Sequence, residues 1–96
     1  MYEITDIIKK RAKKLKIELF PSKNKSKKLD AYKDGIFQCS FGGNGYMDYH
    51  LYKKEFGQKY ASEKRKLYKI RHEADRHIKY RNGKLTAGYL SDQILW

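Results

Sequence analysis

The stretch LDAYKDGIFQCSF, residues 29–41, decides the fold class. Two short runs, Leu29–Lys33 and Ile36–Phe41, are joined by Asp34-Gly35. Asp-Gly between such runs is a strong hairpin signal, because a tight primed turn requires positive φ at both central positions. Along the second run, alternation places Phe37, Cys39 and Phe41 on one face and Ile36, Gln38 and Ser40 on the other. Phe37, Cys39 and Phe41 form the expected core face, since a strand of period two buries one side.

Upstream, Ile17–Phe20 reads as a further strand stopped by Pro21. The loop SKNKSKK, residues 22–28, offers no core-forming residue and is a candidate for disorder in isolation. Residues 3–16, EITDIIKKRAKKLK, have helical spacing. Ile4, Ile8, Arg11 and Leu15 share a face flanked by Ile7 and Ala12, and Lys9, Lys10, Lys13, Lys14 and Lys16 cover the other sides. Acids stand at the start and lysines at the end, as the helix dipole favours. A helix this short is marginal alone, so it either docks through its isoleucines or folds on a partner.

Downstream, Gly42-Gly43-Asn44-Gly45 breaks the strand before a tyrosine cluster of Tyr46, Tyr49 and Tyr52. A long basic helix is expected over residues 62–80, with Ser62 as N-cap and Leu67, Ile70, Ala74 and Ile78 as its apolar stripe. Arg65, Lys69, His72, Arg76 and Lys79 fall opposite that stripe. Asn82-Gly83 ends the helix, and Thr86 caps a short C-terminal helix over 86–96 whose Leu90 and Ile94 point one way. The expected fold is therefore α+β. A short antiparallel sheet from about residues 17–41 packs against helix 62–80 and helix 86–96, and Phe37, Phe41, Leu67, Ile70 and Trp96 lie in the core. All 96 residues form a single domain, with 1–16 as a basic helical extension and 17–96 as the body.

Charge supplies the functional signal. Twenty-three lysines and arginines face eleven acids, a formal charge of +12. Residues 1–28 carry ten of the bases and three acids, and residues 53–81 carry eleven bases and four acids. So large an excess strains a small domain by self-repulsion, and a polyanion relieves it. Phosphate backbones are the commonest polyanion, because neutralising them releases condensed counterions. The competing explanation is an ordinary solvated lysine surface.

Little else in the chain suggests chemistry. The lone Cys39 leaves no internal disulfide to form and reads as a small buried hydrophobe. His72 and His77 are five apart, on different helix faces, and Cys39 with His50 lacks the paired spacing of a zinc site. The Gly42–Gly45 loop lacks the Lys-Ser/Thr ending of a phosphate loop and matches no dinucleotide fingerprint. No apolar run approaches the ~20 residues of a membrane span. The expectation is no enzyme, no cofactor, no metal and no small-molecule substrate.

The segments SFGGNGYMDY, YKIRHE and LTAGYLSDQILW, in that order, resemble a family of small basic proteins of unknown function encoded by large DNA viruses of algae and amoebae. The matching residues are Phe41-Gly42, Gly45, Asp48-Tyr49, Tyr68, Arg71-His72, Ala87–Ser91 and Ile94–Trp96, over about four-fifths of the chain. Relatives often continue past the tryptophan with a basic segment and often lack a helix like 1–16, so this chain departs from them at both ends. The resemblance implies a viral origin and supplies no reaction.

Together these readings point to a virus-encoded protein that binds nucleic acid without sequence specificity, DNA in preference to RNA. It would be carried in the virion with the genome and be present in host cytoplasm or nucleus during infection. Phosphates would be met by Lys9, Lys10, Lys13, Lys14, Arg65, Lys69, His72, Arg76 and Lys79. Tyr46, Tyr49 and Tyr52 would stack on bases if single strands are bound. Two other readings stay open: a minor capsid or cement protein contacting capsid partners, and a host-directed interaction protein.

Overall fold

The computed structural model describes residues 2–96. Thr5 begins helix α1 (Asp6–Lys14), its hydroxyl accepting the Ile8 N–H at 3.4 Å. Strands β1 (Glu18–Pro21), β2 (Lys27–Lys33) and β3 (Ile36–Gly43) form an antiparallel sheet in the order β1-β2-β3. The Asp34-Gly35 turn has φ of 52° and 76°, the paired positive values that a primed hairpin demands.

Helices α2 (Tyr49–Phe56) and α3 (Gln58–Arg71) follow, divided by Gly57 at φ 92°. A second hairpin joins β4 (Tyr80–Arg81) to β5 (Lys84–Leu85), and its Asn82-Gly83 turn again has two positive φ values, 53° and 78°. The chain closes with α4 (Ala87–Leu90), capped by Thr86, and one π-helical turn over Ser91–Leu95. The fold is α+β.

The core lies between the inner face of the sheet and a cover made by α1, α4 and the π turn. Ile8, Leu29, Ala31, Phe41, Leu90 and Ile94 are fully buried in it. Ile8 and Ala12 of α1 belong to this same core, so the helix docks on the body.

Three expectations change here. The helix expected over 62–80 starts at Gln58 and stops at Arg71, with Gly57 at its N-cap position instead of Ser62. Beyond it the Arg76 guanidinium folds back, its Nε 3.3 Å from the Lys69 carbonyl, and satisfies a carbonyl that the ended helix leaves free. The helix also turns a different face inward. Ala61 and Tyr68 are buried, while Leu67 is 55% and Ile70 65% exposed. The tertiary partner decides this: Tyr68 stacks on Trp96 at 4.4 Å with the rings 7° apart. Trp96 itself is half-buried, packed against the core from this side. Accordingly α3 does not lie on the sheet; it packs on α2 and reaches the body through Trp96.

The third change is in β3. Ala31 pairs with Cys39, but its neighbour Tyr32 pairs with Phe37, so Gln38 is an extra residue in a bulge. One inserted residue reverses the alternation beyond it. Phe37 therefore leaves the core face and is 40% exposed, whereas Cys39 and Phe41 keep the inward side. Gln38 is held by the second hairpin, its Oε1 accepting the Leu85 N–H at 2.9 Å.

Candidate nucleic-acid interface

Burying Ile8 and Ala12 turns the opposite side of α1 to solvent. Lys9, Lys10, Lys13 and Lys14 are all exposed there. Among the described residues none of the four has a carboxylate within 4 Å. Their helix is fixed at its other face, where the Arg11 guanidinium donates to the Ile94 carbonyl at 3.1 Å. Burial lowers the Arg11 pKa, and the nearby Arg65 charge adds to that. The same Ile94 carbonyl accepts from the His50 ring at 2.9 Å. Burial outweighs that bond and lowers the His50 pKa, favouring the neutral ring.

The cations expected along the long helix each make contacts within the protein. Arg65 lies over the Tyr49 ring at 3.6 Å, and its Nε is buried without a hydrogen-bond partner. Lys69 pairs with the buried Asp92 at 2.5 Å. Arg76 pairs with Glu73 at 2.8 Å and lies 3.7 Å from Asp92. His72 stacks on Tyr68 and faces Asp75 at 3.4 Å. Lys79, exposed and beyond the helix, lies over the rings of Tyr80 and Tyr89. Ending α3 at Arg71 thus breaks the expected row of five into separate local contacts.

The three tyrosines also part company. Tyr46 is 77% exposed at the glycine loop. Tyr49 is buried, its hydroxyl accepting the Gln58 amide at 2.6 Å. That hydrogen bond and the Arg65 charge hold its pKa below the ordinary phenol value, against burial. Tyr52 belongs to an aromatic group with Phe56, Tyr60 and Trp96. Of the three, Tyr46 alone presents a largely free ring.

A cleft of about 520 Å³ opens between the end of the sheet and the C-terminal end of α3, lined by Lys27, Gly42, Tyr46, Arg71, His72 and Trp96 among others. Gly42 has φ 79°, and a Cβ there would meet Leu95 at 2.7 Å, so only glycine lets the strand end approach the C-terminal turn. Lys27, Lys28 and Arg71 stand here against Asp48 and Asp75, which leaves the lining slightly positive beside flat rings.

Behind the cleft lies a network that sequence patterning did not indicate. Asp48 is 1% exposed, caps α2 by accepting the Leu51 N–H at 3.0 Å, and pairs with the buried Lys28 at 3.0 Å. Its Oδ2 also accepts the Tyr2 hydroxyl at 2.5 Å. Burial first, then that bond, pushes the Tyr2 phenol well above its ordinary pKa. The signal that could have found Asp48 is a capping-type residue ahead of a helix, but residues 49–56 read only as a tyrosine cluster; Lys28 had none, standing in a polar lysine run. Burial likewise pushes the Cys39 thiol up to about 11, so it stays protonated at neutral pH. Among the described residues no three metal-ligating side chains gather.

The basic loop is ordered from within. Asn24 accepts the Ser26 N–H at 3.0 Å and the Ser26 hydroxyl at 2.8 Å, and the Asn44 amide donates to the Lys25 carbonyl at 2.9 Å. Lys23 and Lys25 project from this turn, both exposed.

No family model, curated protein or solved structure matches this chain.

Proposed function

We propose that this protein binds nucleic acid without sequence preference, as a small basic virus-encoded protein carried with its genome. One observation carries the proposal: of twenty-three lysines and arginines, only Lys28, Lys69 and Arg76 pair with a carboxylate among the described residues. Most of the cations therefore stand without an acidic partner, and the surplus behind the net charge of +12 is left for an outside anion. Lys9, Lys10, Lys13 and Lys14 stand on a helix already fixed by the core, so meeting phosphates asks little ordering of its backbone. The cations of the cleft wall and of the 22–28 turn extend the surface. The test is titration of a random-sequence DNA duplex between 50 and 200 mM salt. Contact with about six or more phosphates predicts an affinity loss of roughly 10³-fold or more across that range. Absence of binding at 50 mM would sink the reading.

A structural role within the particle is the second reading. Phe56, Leu67 and Ile70 are exposed on the α2–α3 pair, and apolar side chains left outward in this way suit packing against capsid neighbours. Self-association in sedimentation, with no DNA binding, would promote it.

A further inference from the structure

The outer face of the sheet carries three aromatic rings, one from each strand. Phe20 of β1 meets Tyr32 of β2 at 5.5 Å, and Tyr32 meets Phe37 of β3 at 5.5 Å, both edge to face. Phe20 is 48% exposed and Phe37 40%. Phe37 stands here only because Gln38 bulges and reverses the alternation. A cleft of about 380 Å³ runs along this face beside Phe20, Pro21, Lys23, Asp30 and Tyr32.

We propose that this row is a stacking platform for the unpaired bases of single-stranded nucleic acid. The proposal rests on the nucleic-acid reading above and adds to it a site and a strand state. Rings presented by adjacent strands of an open sheet offer π surface to successive bases, and stacking tolerates any base. An apolar patch alone would suit many occupants; charge selects this one. At the Pro21 end the strip meets the rigid 22–28 turn, where Lys23 and Lys25 are exposed and have no carboxylate within 4 Å among the described residues. A strand leaving the rings reaches cations there for its phosphates. Of the acids on this face, Glu18 is the exposed one. Asp30 Oδ1 is taken by the hydroxyls of Ser22 at 2.6 Å and Ser40 at 2.5 Å, while Oδ2 accepts only the Lys23 N–H at 3.3 Å. Asp30 is buried and both of its oxygens are engaged, so its charge is held back from the strip, while the exposed Glu18 lines the same cleft and can accept from an exocyclic amino group. Duplex DNA hides its base faces and would not use the platform.

The experiment compares a fluorescein-labelled twelve-residue oligothymidylate with a random-sequence duplex at 50 mM salt. The proteins are the unaltered chain, Phe20→Ala/Phe37→Ala and Phe20→Tyr/Phe37→Tyr, each checked for folding by circular dichroism. The alanine pair should lose at least about tenfold in oligothymidylate affinity, with duplex affinity kept within about twofold, and the tyrosine pair should retain both. Unchanged oligothymidylate affinity in the folded alanine pair overturns the platform and leaves the nucleic-acid reading standing. So does an equal loss on both ligands. A dimer that the alanine pair converts to monomer also overturns it, because the rings then meet a second copy. Failure of the unaltered chain to bind either ligand removes both proposals.

Discussion

The Arg65 guanidinium stands 3.6 Å from the centroid of the Tyr49 ring and closes the seam between α2 and α3. A planar cation over an aromatic face is worth about 2 kcal/mol when both are withdrawn from water. Arg65→Ala should therefore lower unfolding free energy by roughly that amount in a urea titration. Arg65→Lys should recover little, because a point charge does not reproduce the stacked plane. The salt slope of DNA binding should stay as it was. A stable variant whose slope falls by about one would place Arg65 on a phosphate instead.

The lysines of α1 should behave in the opposite way. Lys9→Gln/Lys13→Gln removes two exposed cations that have no carboxylate partner among the described residues, so circular dichroism and melting should scarcely change. The slope of log affinity against log salt should drop by about two. Lys69→Gln/Arg76→Gln removes both cations that face Asp92, whose side chain is buried, and should destabilise by roughly 3–5 kcal/mol. A larger binding loss from the second pair, in a folded protein, would reverse the assignment.

Two apolar truncations separate the core from the outward helix face. Phe41 is fully buried, and Phe41→Ala should cost about 3–5 kcal/mol. Leu67 is more than half exposed, and Leu67→Ala should stay within about 0.5 kcal/mol. Equal losses in guanidinium titrations would put Leu67 inside.

Asp48→Ala removes three contacts at once: the α2 cap, the Lys28 ion pair and the Tyr2 hydrogen bond. It leaves the Lys28 ammonium buried without its carboxylate. Loss of one partner of a buried pair costs about 3–5 kcal/mol, and Lys28→Met in the same background should recover part of it. No recovery in a thermal melt would show that the cap, not the stranded charge, dominates.

Asp30 gives the stability a pH dependence. Burial raises its pKa, but hydrogen bonds from Ser22 and Ser40, the Lys23 N–H and the Lys23 charge outweigh this and lower it. A carboxyl depressed in the folded state contributes stability that is present above the unfolded value, near 4, and is lost as pH falls through the folded value. Unfolding free energy should fall on acidification below about pH 4. Ser22→Ala/Ser40→Ala should flatten that fall, measured by urea titration at stepped pH. An identical profile in both proteins would remove Asp30 as its source.

Local chemistry alone determined part of this protein. Asp34-Gly35 specifies its hairpin because few other pairs tolerate two positive φ values. Thr86 and the spacing of Ile8 and Ala12 likewise act within a turn or two of their own positions. Net charge is equally legible, since it depends on composition and not on contacts. The rest was settled by residues far apart in the chain. Leu67 and Ile70 keep helical spacing, yet Trp96, twenty-six or more positions on, supplies the ring that Tyr68 turns inward to meet. Asn82-Gly83 carried the same hairpin signal as Asp34-Gly35, but the helical spacing before it masked the two-residue strands. Phe37 fits the core pattern of β3 until the bulge at Gln38, held by the backbone of Leu85, turns it out. Lys28 looks like one solvated lysine in a run, and only the approach of Asp48 makes its burial affordable. Periodicity reports which faces a segment has; which of them is buried depends on the partner that arrives, and that partner is set by the tertiary fold.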